Sequence, residues 1–161
     1  MPKFVADSST STGLKWAAPA GGGKVLQVVN ATYSTNVSNA TSTFADTGLT
    51  ASITPTLATS NILVIVNQVG LGKATGTTSG VMGRLVRGAT TIVSEFVGNG
   101  GYTGTNATNY FGGAGLSYLD SPATTSSTTY KTQFKNFENT SAVYAQNENA
   151  SSSITLIEIG V

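Results

Sequence analysis

The 161-residue sequence has no cysteine and no histidine, and only 9% of its residues are charged. Without thiols there is no disulfide framework, so stability has to come from packing and from subunit contacts. The usual base for a serine nucleophile is also missing, as are the commonest nitrogen and sulfur metal ligands. Carboxylates are few and scattered, at Asp7, Asp46, Glu95, Asp120, Glu138, Glu148 and Glu158, with none at metal-ligand or calcium-loop spacing. A carboxylate pair of the glycosidase kind is the one catalytic arrangement left open, and ordinary surface or strand-end roles are commoner for such residues. The expectation is a protein that is not an enzyme and holds no metal and no cofactor. Eight Lys and Arg against seven Asp and Glu give a formal charge of +1 and no basic block, which argues against nucleic acid as a partner. The apolar run "ILVIV" at 62–66 is far short of the ~20 residues of a membrane helix. The first twelve residues carry no signal-peptide core. Cytoplasmic synthesis without membrane insertion is therefore expected.

What the sequence has in quantity is serine (18), threonine (26) and glycine (19). A surface built from hydroxyls and amides follows. Six N-x-[ST] sites, at Asn30, Asn36, Asn39, Asn106, Asn139 and Asn149, are what such a composition generates by chance. Apolar, β-branched runs of five to nine residues are punctuated by Gly, Pro, Asn and Ser clusters, the pattern of short strands. Strands are predicted at 24–33, 41–46, 49–54, 61–69, 81–87, 90–97, 109–119, 128–138, 141–146 and 152–159. That number and spacing predict an all-β fold, a jelly-roll-like two-sheet β-sandwich over 24–161. Residues 1–23 are expected to form an extended N-terminal arm, with Phe4, Val5, Leu14 and Trp16 as its large apolar groups and Gly21, Gly22 and Gly23 as a hinge.

Face patterns add detail. In 128–138, Tyr130 and Phe134 share one face and Lys131, Gln133 and Lys135 the other, the signature of a sheet covered on one side. In 61–69 and 152–159 both faces are apolar, and a sandwich buries only one of them. The extra face predicts an oligomer, assigned to Ile62, Val64, Val66, Ile154, Leu156 and Glu158, with Arg84 or Arg87 as a partner for the carboxylate. "AGGGKV" at 20–25 is not a phosphate loop, because Val25 follows Lys24 where Ser or Thr is needed. The glycine clusters at 98–104 and 111–116 place Tyr102, Tyr110 and Phe111 on expected loops, where aromatics either cap the sandwich or stack on sugar rings.

Several stretches resemble a known group. "VADSSTSTGLKWAAPAGGGKVLQVV" is similar to the junction that leads into the terminal β domain of tail-fibre and related surface proteins of tailed bacteriophages. "FADTGLTASITPTLATSNILVIVNQ" at 44–68, "LVRGATTI" at 85–92 and "SSSITLIEIGV" at the end resemble the body and end of that domain. The resemblance implies a trimeric virion structural protein on the outside of the particle, made in the host cytoplasm, with no catalytic residues. Because Met1 lies only a few residues before the junction, no fibre shaft is expected. Two functions follow: a head decoration (cement) protein gripping the capsid through its arm, or a tail-fibre tip reading host surface glycans.

Overall fold

Long runs of β-branched, aromatic and small residues, broken by turn formers, extend into strands because branched side chains pack well on a pleated surface. A computed structural model describes residues 3–6, 14–17, 23–138 and 141–160. Its strands are β1 (Lys3–Ala6), β2 (Leu14–Ala17), β3 (Lys24–Tyr33), β4 (Val37–Asn39), β5 (Ala45–Ile53), β6 (Asn61–Lys73), β7 (Val81–Arg87), β8 (Thr90–Gly100), β9 (Asn109–Asp120), β10 (Thr128–Asn136), β11 (Val143–Ala145) and β12 (Ser152–Gly160). No α-helix occurs among the described residues.

The pairing explains the architecture. Leaving aside the short β4 and β11, the long strands from β3 onward pair from the outside in: β3 with β12, β5 with β10, β6 with β9 and β7 with β8. A hairpin of four strand pairs, rolled up, gives a four-stranded sheet β5–β10–β7–β8 and a second sheet β3–β12–β6–β9. β11 and β4 extend the far end of β6 in the second sheet. This is the jelly roll that strand number and spacing predicted. The inner faces enclose one cluster around Leu49, Ile53, Val64, Leu85, Tyr130 and Leu156, and another around Leu71, Val81, Phe134 and Val143. Buried hydroxyls and amides also join the sheets: Thr47 bonds Thr132 at 2.6 Å, Thr132 donates to Gln68 Oε1 at 2.8 Å, and Gln68 donates to Ser152 at 3.0 Å.

Two predicted strands need correcting. The runs 41–46 and 49–54 give a single strand, β5, which begins only at Ala45 and has a register shift opposite Lys131–Gln133. Gly48 sits at that irregularity with φ +87°, a bulge conformation that only glycine adopts freely, so a residue taken for a break is a kink within the strand. The three-residue β4 was not anticipated. Tyr130 and Phe134 are buried while Lys131, Gln133 and Lys135 face outward, as the alternation predicted.

The arm folds back on itself. β1 and β2 form an antiparallel ladder in which Phe4 lies opposite Trp16 and Val5 opposite Lys15. The side-chain surroundings of Phe4, Val5, Leu14 and Trp16, and all of Gly21, Gly22 and Asn139, lie outside the described residues. Gly23 is described, and a Cβ there would collide with the Ile159 side chain and lie 2.9 Å from the Gly160 carbonyl oxygen. Close approach to β12, rather than swivelling, is what requires glycine at that position.

Candidate interaction surface

The apolar residues of β6 and β12 that point away from the core define the candidate site. Register fixes which these are. Ile62, Val64, Val66, Ile154 and Leu156, expected at an oligomer interface, are at most 2% exposed and form the interior of the sandwich. Glu158 shares that inner face. The strands do have two apolar faces, but the outward one carries Leu63, Ile65, Ile157 and Ile159. A row runs straight across the sheet from Val28 on β3 to Ile157, Leu63 and Leu119 on β12, β6 and β9. Val28 is 58% exposed and Leu119 55%. Beside them Ile65 (38%) and Val25 (61%) continue the patch.

Other outward positions around the patch are Asn30, Thr32, Asn61, Asn67, Val69, Ser153, Thr155, Gly113, Gly115 and Ser117. None is charged. The patch lies at the end of the sheet where Lys24 pairs with Gly160, so the arm joins the body beside it.

Two buried carboxylates brace the inner face behind the patch. One row of neighbours reads Gln27, Glu158, Ile62 and Asp120 across β3, β12, β6 and β9. Glu158, fully buried, accepts from the Gln27 amide at 2.6 Å, and from the Thr56 backbone N–H and hydroxyl at 2.8 Å each. Burial alone would raise this carboxyl, yet the Gln27 and Thr56 donors outweigh it and hold it down at about 2. It thereby ties the loop after β5, on the opposite sheet, to β12. Neither Arg84 nor Arg87 reaches it. Arg84 donates to Gln133 at 2.8 Å, and Arg87 gives its Nη1 to both oxygens of Asp120 at 2.9 and 2.8 Å. Asp120 also accepts the Tyr130 hydroxyl at 2.6 Å. Burial, helped by that carboxylate, pushes the Tyr130 phenol up, so it stays a donor.

The expected ligand aromatics lie at the other end of the molecule, and only one of them is on a loop. Tyr102, 49% exposed, sits in the turn after β8. Tyr110 and Phe111 are in β9, because the glycines that suggested a loop pair along β6. Phe111 packs on the second core cluster, whereas Tyr110 stays exposed. Its ring lies 6.1 Å from that of Tyr144 at 44°, the two residues flanking Gly72 in register. Lys73 is buried beneath this end, donating to the Gly76 and Thr105 carbonyls at 2.8 and 2.9 Å. No cluster of three His, Cys, Asp or Glu that could hold a metal occurs among the described residues.

No protein-family model matches the sequence, and no curated protein matches it. Among solved structures, the infectious bursal disease virus VP2 subviral particle is similar in fold, with a TM-score of 0.51 at 10% identity. The match covers 99% of this chain but 37% of that one, so the chain spans little more than a third of that protein's length. At this identity the likeness is one of fold: a two-sheet β architecture that a virus-particle protein also contains.

Proposed function

We propose that this chain is a non-enzymatic structural protein of a virus particle that assembles through the outer face of the β3–β12–β6–β9 sheet. The observation that carries the proposal is the unbroken row Val28, Ile157, Leu63 and Leu119, on a sheet face without charge. Contiguous exposed apolar surface on a soluble domain marks a binding surface. A second copy of the same chain suits it: the face carries no charge to repel its own image, and the net charge is +1. The fold likeness to a virus-particle protein and the resemblance to tailed-phage surface proteins both support a virion role, the latter as a trimer on the particle exterior. Asp120 and Glu158, the two buried carboxylates, are both committed to bracing the sandwich, which favours a mechanical role over catalysis.

The preferred form is a head decoration protein, its β domain standing on the capsid and its arm gripping neighbouring shell subunits. The arm joins the body beside the apolar face, so self-assembly and shell docking use adjacent surfaces. The second reading, a tail tip that binds host glycans, is favoured by the exposed Tyr102 and the Tyr110–Tyr144 pair at the opposite end. Quantitative mass spectrometry of purified particles separates the two. Hundreds of copies per particle are expected for a decoration protein, and a count of a few to a few tens would instead assign the chain to the tail.

A further inference from the structure

A cavity of about 250 Å³ opens between β7, β10 and the loop joining β9 to β10, lined by Arg87, Gly88, Pro122, Thr124, Ser127, Thr128 and Thr129. Its one charged group is unusually fixed. Arg87 gives Nη1 to both oxygens of Asp120, and Asp120 is itself buried and held by Tyr130. The side chain is nevertheless 28% exposed. Its hydrogen bonds to Asp120 and, at 3.5 Å, to the Ser121 carbonyl all leave from Nη1, with the Tyr130 hydroxyl close by, which keeps them off the Nε–Nη2 edge, whose two parallel N–H groups match a carboxylate. Asp120 therefore orients the guanidinium without using up that edge.

The rest of the lining is hydroxyl-rich, with Pro122 as an apolar wall. The loop is held in shape by local bonds: Thr124 Oγ1 accepts from the Ser126 N–H at 3.0 Å, and the Thr128 hydroxyl donates to the Ser126 carbonyl at 3.1 Å. Just before them Ala123 occupies the left-handed region at φ 52°, a conformation that costs free energy and recurs at ligand clamps. The volume falls just below the ~300–1,000 Å³ of sites for drug-sized ligands, which suits one sugar ring rather than a chain.

We infer that this cavity binds a single acidic monosaccharide unit, its carboxylate on the Nε–Nη2 edge of Arg87 and its hydroxyls among Thr124, Ser127, Thr128 and Thr129. The site uses none of the residues of the apolar sheet face or of the Tyr110–Tyr144 pair, and it stands whether or not the assembly proposal does.

Titration of the isotope-labelled full chain with sodium glucuronate, with glucose and acetate as controls, tests it by NMR. Saturable millimolar shifts confined to residues 87–88 and 122–129 are expected for glucuronate alone. Arg87→Lys, which keeps the charge near Asp120 but loses the fork, should weaken binding about tenfold. Ser127→Trp, which fills the cavity without touching the Arg87–Asp120 pair, should abolish it and carries the test if the lysine variant fails to fold. No saturable shift at these residues, equal binding of glucose or acetate, or unchanged affinity in Ser127→Trp would each overturn the inference.

Discussion

The two sheets of this sandwich present opposite outer faces. On β5–β10–β7, Arg84 donates to Gln133 at 2.8 Å, Gln133 to Asp46 at 2.6 Å, and Lys131 to the other Asp46 oxygen at 2.8 Å. The Arg84 guanidinium lies 4.1 Å above the Phe44 ring and the Lys135 ammonium 5.2 Å from it. That face satisfies its polar groups within itself and faces water. On β3–β12–β6–β9 the corresponding positions hold Val28, Ile157, Leu63, Ile65 and Leu119, with uncharged residues around them. One fold thus carries a finished surface and an unfinished one. In a chain this poor in charge, the placing of the few ions is itself informative: Asp46, Arg84, Lys131 and Lys135 share the face that needs no partner, and the outward positions of β3–β12–β6–β9 carry none.

The contrast is sharpest within a single strand. Leu156→Ala, on the inner face of β12, should cost about 3 kcal/mol of stability in chemical denaturation, the usual loss for truncating a core leucine. Ile157→Thr, the next residue but outward, should leave denaturation of the dilute monomer within about 0.5 kcal/mol while weakening self-association. If Ile157→Thr destabilises the monomer as much as Leu156→Ala, its face is core and the contrast collapses.

Acid should act on the inner brace before it touches the apolar face. Glu158 has an ordinary carboxyl value when unfolded and about 2 when folded, so its contribution is fully present above the unfolded value and is lost as pH falls from about 4.5 through about 2. Thermal melts across that window should show Glu158→Gln losing less stability than the parent, since the variant has no proton to take up there. Parallel pH profiles for the two proteins would remove the brace from the account. The smallest effect belongs to the charged face: Lys131→Ala removes a half-exposed pair with Asp46 and should cost no more than about 1 kcal/mol, with association unchanged.

The sequence made the strands and the sandwich legible because both rest on local alternation and turn formers. β3 and β7 begin and end where the pattern places them, and the solvent-facing character of β10 follows from Lys131, Gln133 and Lys135 alone. What local pattern does not contain is which of two apolar faces looks inward. In β12, the Ile154–Leu156 face was assigned outward together with Glu158, a carboxylate that normally avoids a core. The choice is decided elsewhere in the chain, by Gln27 on β3 and Thr56 after β5, whose donors make a buried carboxylate tolerable. Likewise, Tyr110 and Phe111 fall both in the strand predicted at 109–119 and beside glycines that suggested a loop, and pairing with β6 decides for the strand. The Arg87–Asp120–Tyr130 cluster joins three separate strands, with no short motif to announce it.

The central claim is that the outer face of β3–β12–β6–β9 is covered by copies of the same chain. Sedimentation velocity of the full chain at micromolar concentration, beside a Val28→Lys/Leu119→Lys variant, tests it most directly. The account predicts a trimer for the parent and a folded monomer for the variant, because each lysine would have to be desolvated in the contact. A monomeric parent, or a variant that remains trimeric, would contradict it.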